Sequence, residues 1–220
     1  MKPLTTEIQD SDTLQEIGRA SVQIVHDLKN QLNGLKLYAT FLRKRMEKSE
    51  RPEDERETLA KLIAGLERAA ADMTALVRYG RPLELRKQPR VALDQILSSI
   101  TSAGEAGAKL RLEIEAARLE GEYDPTVLTE ALQAITTGAL NLRRGDEPVS
   151  IYLRQDAEQA APHALIEWRN LKINEHDVFR SFAGSDGLRL SLAAKIIEAH
   201  QGEVQQQADM LRVRLPINEG

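Results

Sequence analysis

The chain is 220 residues long, room for one large domain or two small ones. Apolar residues make up 41% of it but aromatics only 4%, so any core is built mostly from Leu, Ile, Val and Ala. A net charge of −4 argues against nucleic acid as the main partner, and the absence of cysteine excludes disulfides and thiolate metal sites and fits a reducing compartment.

The first thirteen residues, MKPLTTEIQDSDT, are polar, and no window approaches ~18 consecutive apolar residues. We therefore expect neither a signal peptide nor a membrane span, and a soluble, cytoplasmic protein. Leu14, Ile17, Ile24, Leu28, Leu35 and Leu42, with Ser21, Gln31 and Tyr38 in the gaps, step by three and four along a helical seam. Val25, Leu32 and Ala39 widen it. The seam ends in RKRMEKSERPEDERE (43–57), where Pro52 can open a second helix. That helix carries Leu59, Leu62/Ile63, Leu66, Ala69/Ala70, Met73 and Leu76/Val77 and stops at Gly80-Arg81-Pro82. The result is an antiparallel hairpin over 1–81. Its apolar faces are wider than one partner helix covers, so the expectation is a homodimer in which two hairpins pair into a four-helix bundle, the alternative being that the hairpin packs on the rest of its own chain.

Beyond Pro82 the pattern changes. ALDQILSSITSA (92–103) reads as a helix, KLRLEIEA (109–116) as a strand, and DPTVLTEALQAITTGALNL (124–142) as a helix with Asp124 as its N-cap and Pro125 in its first turn. VSIYLRQ (149–155) and ALIEWRN (164–170) read as strands, GLRLSLAAKIIEAH (187–200) as a helix, and VQQQ and LRVRLPI as two closing strands. These elements make an α/β sandwich over 86–220, giving a two-domain α plus α/β chain. The charges divide unevenly, with 14 basic and 13 acidic side chains in 1–81 against 16 and 21 in the remainder.

The chemistry lies in VHDLKNQLNGL (25–35). On a regular helix His26 lies about 200° from Ile24 and Leu28, on the side that carries Val22, Lys29, Asn30, Asn33, Lys36 and Leu37. An exposed imidazole titrates near neutrality and can act as a nucleophile, Asp27 can orient it and take its proton, and Asn30 sits one turn on. An exposed helical histidine can equally be a solvated side chain. His163 and His176 fall in stretches that read as loops with no second ligand at metal spacing.

HDLKN followed by QLNGL resembles the H-box of two-component sensor histidine kinases, His-Asp/Glu-Leu-x-Asn/Thr-Pro-Leu, with Gln31 in place of the usual proline. Tyr79-Gly80-Arg81-Pro82 with VALDQIL, GLRLSLAAKIIEAHQGEVQ (187–205) and RVRLPI (212–217) are similar to that family's linker, last glycine box and closing strand. The resemblance implies phosphorylation on a ring nitrogen of His26, Asp27 as general base, and Asn30 as the residue that assists dephosphorylation of a partner.

The same resemblance implies an ATP site, and the chain departs from it at nearly every element. Ala134 and Gly138 occupy the positions of the Mg²⁺-holding asparagines, with Asn141 three residues beyond. Arg169-Asn170-Leu171-Lys172-Ile173 stands where Asp-x-Gly-x-Gly reads adenine, and about ten residues remain for a lid. Ser185-Asp186-Gly187-Leu188-Arg189-Leu190 keeps one of three glycines and puts an anion near the phosphates. The expectation is a degenerate histidine-kinase-type ATPase domain with no cofactor of its own, any Mg²⁺ being supplied by the partner. The chain then relays a phosphoryl group between response-regulator receiver domains through His26, docking them on Lys29, Asn33, Lys36 and Leu37. The alternatives are an active kinase with a divergent site and a non-catalytic protein that binds a receiver or a kinase.

Overall fold

The computed structural model describes residues 25, 28–44, 46, 53–102, 109–115, 118–156, 162–173, 177–182 and 184–218. The chain divides into two units, Met1–Pro82 and Leu83–Gly220. Among the described residues no helix is long and apolar enough to cross a membrane.

In the first unit, helix α1 covers 28–44 and helix α2 covers Glu53–Gly80. Helix α2 opens with Glu53, Asp54 and Glu55 in its first turn and carries Arg78 in its last, so charges of the favourable sign sit at both ends of its dipole. Pro82, two residues past its end, cannot continue it. The two helices meet through Ala39, Leu59 and Ile63, with Met46 and Leu66 packed against that cluster. Lys36 Nζ reaches Glu67 Oε1 at 2.9 Å across the same contact, so the chain direction reverses between α1 and α2.

That contact covers only part of the apolar surface. Leu28, Leu35 and Leu42, seven residues apart, are 41, 54 and 50% exposed, and Leu62 and Leu76 on α2 are exposed as well. An open groove of about 340 Å³, lined by Met46, Thr58, Leu59 and Leu62 with Asp54 and Glu55, lies in the same unit.

The second unit begins with strand β1 (Gln88–Ala92), which pairs antiparallel with β3 (Glu120–Tyr123) in a small ribbon. Helix α3 (Leu93–Ser102) and strand β2 (Leu110–Ile114) lie between them in sequence. Helix α4 (Pro125–Asn141), strands β4 (Val149–Asp156) and β5 (His163–Arg169), helix α5 (Gly184–Ala199) and strands β6 (Glu203–Gln207) and β7 (Met210–Pro216) follow. The main sheet has the order β2-β4-β5-β7-β6, with β2 parallel to β4 and the remaining pairs antiparallel.

Register sorts the sheet's two faces. Ile151, Leu153, Ile166, Trp168, Leu211 and Val213 share one face and are fully buried. Trp168 Nε1 donates to Thr136 Oγ1 on α4 at 3.0 Å, so this is the helix-covered face. Leu93, Leu97, Leu128, Leu132 and Ile135 complete the core from the helices.

The opposite face is polar and centred on Glu167, whose side chain is fully buried. Arg212 grips its Oε1 through Nε at 2.9 Å and Nη2 at 2.7 Å, Arg169 holds Oε2, and Arg154 Nη2 stands 3.7 Å away. Burial alone would raise the Glu167 pKa, but the Arg169 and Arg212 bonds outweigh it and hold the carboxyl below its usual range. Removing this carboxylate strands three guanidiniums together. Glu167→Ala is therefore expected to cost about 3–5 kcal/mol in urea unfolding of the second unit, and an unchanged midpoint would refute the network's role.

Two features depart from the sequence reading. Strands β1 and β3 were not anticipated: Pro89 and the left-handed Arg90 (φ 56°) break strand patterning in β1, where the register also shifts. His163 opens β5 opposite Asp156 and Pro216 rather than lying in a loop.

Candidate functional site

Helix α1 passes unbroken through Gln31, the position where the family pattern has proline. His26 and Asp27 lie outside the described residues. Of the other residues on that expected face, Asn30, Asn33 and Leu37 are exposed and Lys29 is half-buried. Leu37 is 69% exposed, and Phe41, one turn further along, is 64% exposed. Leu37 stands about 200° around the helix from the buried Ala39, so a neighbour covering Leu28, Leu35 and Leu42 leaves Leu37 open. Lys36 differs from its sequence reading, since its ammonium is paired with Glu67 and its carbonyl accepts from Thr40 Oγ1 at 2.8 Å. Its position at the hairpin contact rather than on the open strip follows from Glu67, which no local pattern on α1 announces. Phe41 is the member the sequence reading missed. Its place four residues beyond Leu37 is the signal that could have found it.

The second candidate lies in the second unit. Glu130, Gln133, Ala134, Thr137 and Gly138 of α4, with Asp186 and Arg189 of α5, line a cleft of about 170 Å³. Positions 134, 138 and 186, singled out from sequence, are thus brought together. Neither Ala134 nor Gly138 offers a side-chain oxygen to a cation. Leu190 packs so closely on α4 that a Cβ at Gly138 would stand 2.9 Å from Leu190 Cδ2. Asn141 Nδ2 donates to Asp186 Oδ2 at 2.8 Å, tying the end of α4 to the start of α5. Among the described residues no group of three or more His, Cys, Asp or Glu is placed to hold a metal ion.

Arg169 stands away from this cleft. Strand alternation sends Trp168 toward α4 and Arg169 to the other face, where its guanidinium bonds Glu167 and lies 4.4 Å from the centre of the Tyr152 ring. The Glu167 bond raises the Arg169 pKa despite partial burial. The cation at 169 belongs to the sheet network rather than to the cleft.

A buried junction fixes the start of α4. Asp124 Oδ1 accepts from the Thr126 and Val127 N–H groups, each at 3.1 Å, and its Oδ2 accepts from the Arg86 N–H at 2.8 Å. This is the N-cap that the sequence announced. Burial works against the charge, but the three N–H groups outweigh it and lower the Asp124 pKa. The Asp124 N–H donates to His200 Nε2 at 3.0 Å, and His200 Nδ1 lies 2.8 Å from the Ile196 carbonyl oxygen. A carbonyl only accepts, so Nδ1 carries the proton and Nε2 is the acceptor.

Burial lowers the His200 pKa, with Lys87 adding to the effect. The unfolded imidazole therefore binds a proton more readily than the folded one. This contribution is complete above the unfolded value of ~6.5 and is lost as pH falls below it toward the folded pKa. The expected result is a urea midpoint that drops between pH 7 and pH 5.5 in the wild type. His200→Gln, which accepts the same N–H without titrating, should flatten that drop; an equal drop in the variant would assign it elsewhere.

No family model matches the chain, and no curated protein matches it. Solved structures do. ShkA, crystallised full-length in complex with AMPPNP, superposes with a TM-score of 0.68 at 15% identity over 90% of this chain. The Acinetobacter baumannii histidine kinase AdeS superposes with a TM-score of 0.57 at 18% identity, over 86% of this chain and 97% of its own. The chain spans 45% of the length of ShkA. The fold is that of a histidine kinase.

Proposed function

We propose that this chain is a histidine phosphotransferase of a His–Asp phosphorelay, using the histidine-kinase fold without using ATP. A receiver domain carrying an aspartyl phosphate docks on the open strip of α1. A ring nitrogen of His26 attacks phosphorus, the P–O bond to the aspartate breaks, and the carboxylate leaves as an N–P bond forms. Asp27 takes the proton from the other ring nitrogen and returns it when a second receiver's aspartate attacks the phosphohistidine. Asn30 orients a phosphoryl oxygen or a water, and the receiver supplies the Mg²⁺ that neutralises the moving charge. Lys29, Asn33 and Leu37, joined by Phe41, contact the receiver; Lys36 contributes once its pairing with Glu67 yields. Two hairpins associate through Leu28, Leu35 and Leu42 into a four-helix bundle, and the relay operates in the cytoplasm.

The observation that carries the ATP-free reading is the lining of the α4–α5 cleft. Its two key positions are Ala134 and Gly138, the nearby Asn141 Nδ2 is bonded to Asp186, and its ~170 Å³ falls short of the ~300 Å³ at which small-molecule sites begin. The kinase alternative has one point in its favour, the superposition on AMPPNP-bound ShkA. Two incubations decide between them. Receivers loaded with labelled phosphate should transfer label to the wild-type chain, whereas labelled ATP with Mg²⁺ should leave it unlabelled. Incorporation from ATP that disappears in His26→Ala would establish the kinase instead. Receiver binding with no label on the chain would establish a non-catalytic binding protein.

A further inference from the structure

We infer that the cleft of the second unit is latched from within, so that the chain's own side chains hold the start of α5 where a bound ligand would otherwise have to. This rests on the ATP-free reading above and adds what replaces the ligand.

The latch has two sides. Toward α4, Asn141 Nδ2 in the last turn donates to Asp186 Oδ2 at 2.8 Å. Asp186 sits in the first turn of α5, where the helix dipole favours a negative charge. One turn further, Leu190 fills the space over Gly138, the bare backbone there allowing the close approach. Asp186 thus supplies internally the negative charge that the α4 amide and the first turn of α5 would otherwise accept from a visitor.

Toward the preceding segment, the tie runs through Ser181. A Cβ at Gly187 would stand 2.8 Å from the Ser181 carbonyl oxygen, and Ser191 Oγ donates to that same oxygen at 2.9 Å. Residues 177–182 are themselves anchored. The Val178 N–H donates to Gln206 Oε1 on β6 at 2.8 Å, the Phe179 N–H donates to Asp177 Oδ1 at 3.0 Å, and the Phe179 ring is buried. The segment in the lid position is thereby strapped to α5 and β6, and the first two turns of α5 are held from both sides by the chain itself.

Hydrogen exchange on the full-length chain tests this. In the wild type, the amides of 184–190 should exchange at the same rate with and without AMPPNP and Mg²⁺. In Asn141→Ala they should exchange roughly three- to tenfold faster, with β4 and β5 unchanged. Wild-type rates in Asn141→Ala would overturn the latch and leave the ATP-free reading standing. Acceleration spread equally over β4 and β5 would also overturn it, because the variant would then act on the whole unit. Slowing of 184–190 by AMPPNP in the wild type would overturn the ATP-free reading and the latch with it.

Discussion

His26→Ala should lower acceptance of label from a phosphorylated receiver on the order of 10³-fold or more, with receiver binding and the oligomeric state preserved. The size of the effect follows from the chemistry: the imidazole nitrogen is the nucleophile, and no side chain of the H-box can replace it. Asp27→Asn keeps the shape and removes the proton acceptor, so it should fall between, on the order of 10²-fold slower. Phosphohistidine is acid-labile and alkali-stable, which supplies an independent check on where the label sits. Full labelling of His26→Ala would end the relay reading. Equal rates for Asp27→Asn and wild type would remove Asp27 from the proton transfer and leave His26 in place.

Leu35→Glu should convert a dimer to a monomer. Leu35 lies between Leu28 and Leu42 on a seam about half exposed in the single chain, and the two-fold bundle would bury it in both copies. Losing the burial of that exposed half twice, at ~0.8–1.5 kcal/mol each, weakens association roughly 10- to 10²-fold before any cost of burying the charge is added. Light scattering behind a sizing column reads the mass directly. Leu37→Glu is the matched control, equally disruptive in chemistry but on the far side of the helix. It should leave the mass unchanged and slow phosphotransfer. A wild-type chain that runs as a monomer at tens of micromolar, or a Leu35→Glu chain that runs as a dimer, would send the bundle proposal back to a hairpin covered in another way.

Much of the second unit could be read from residue order because its signals are local. Asp124 followed by Pro125 announces a capped helix, and the alternation in VSIYLRQ and ALIEWRN announces strands; both appear where expected. Strands β1 and β3 escaped because their pairing joins Gln88 to Tyr123, and each is short and broken by a residue that argues against a strand, Pro89 and Gly121. At the candidate sites, sequence singled out Ala134, Gly138 and Asp186 but not the leucine that packs against Gly138. Leu190 reads as an ordinary core leucine until α4 lies beside it. Arg169 shows the same limit, since position suggested a cation in the cleft and the pleat turned it to the other face to meet Glu167. Lys36 likewise belonged to the open strip by angle, and Glu67 of the neighbouring helix claimed it.

Trp168 gives the molecule a built-in spectroscopic reporter. It is the chain's single tryptophan, fully buried, with its indole N–H bonded to Thr136. Its emission therefore senses the sandwich and is silent about the helical hairpin, which dominates none of that signal but much of the far-ultraviolet dichroism. Following both signals through one titration separates the melting of the two units without labels or truncation. A receiver that docks on α1 should leave the emission untouched, whereas any ligand that pries α5 from α4 should shift it.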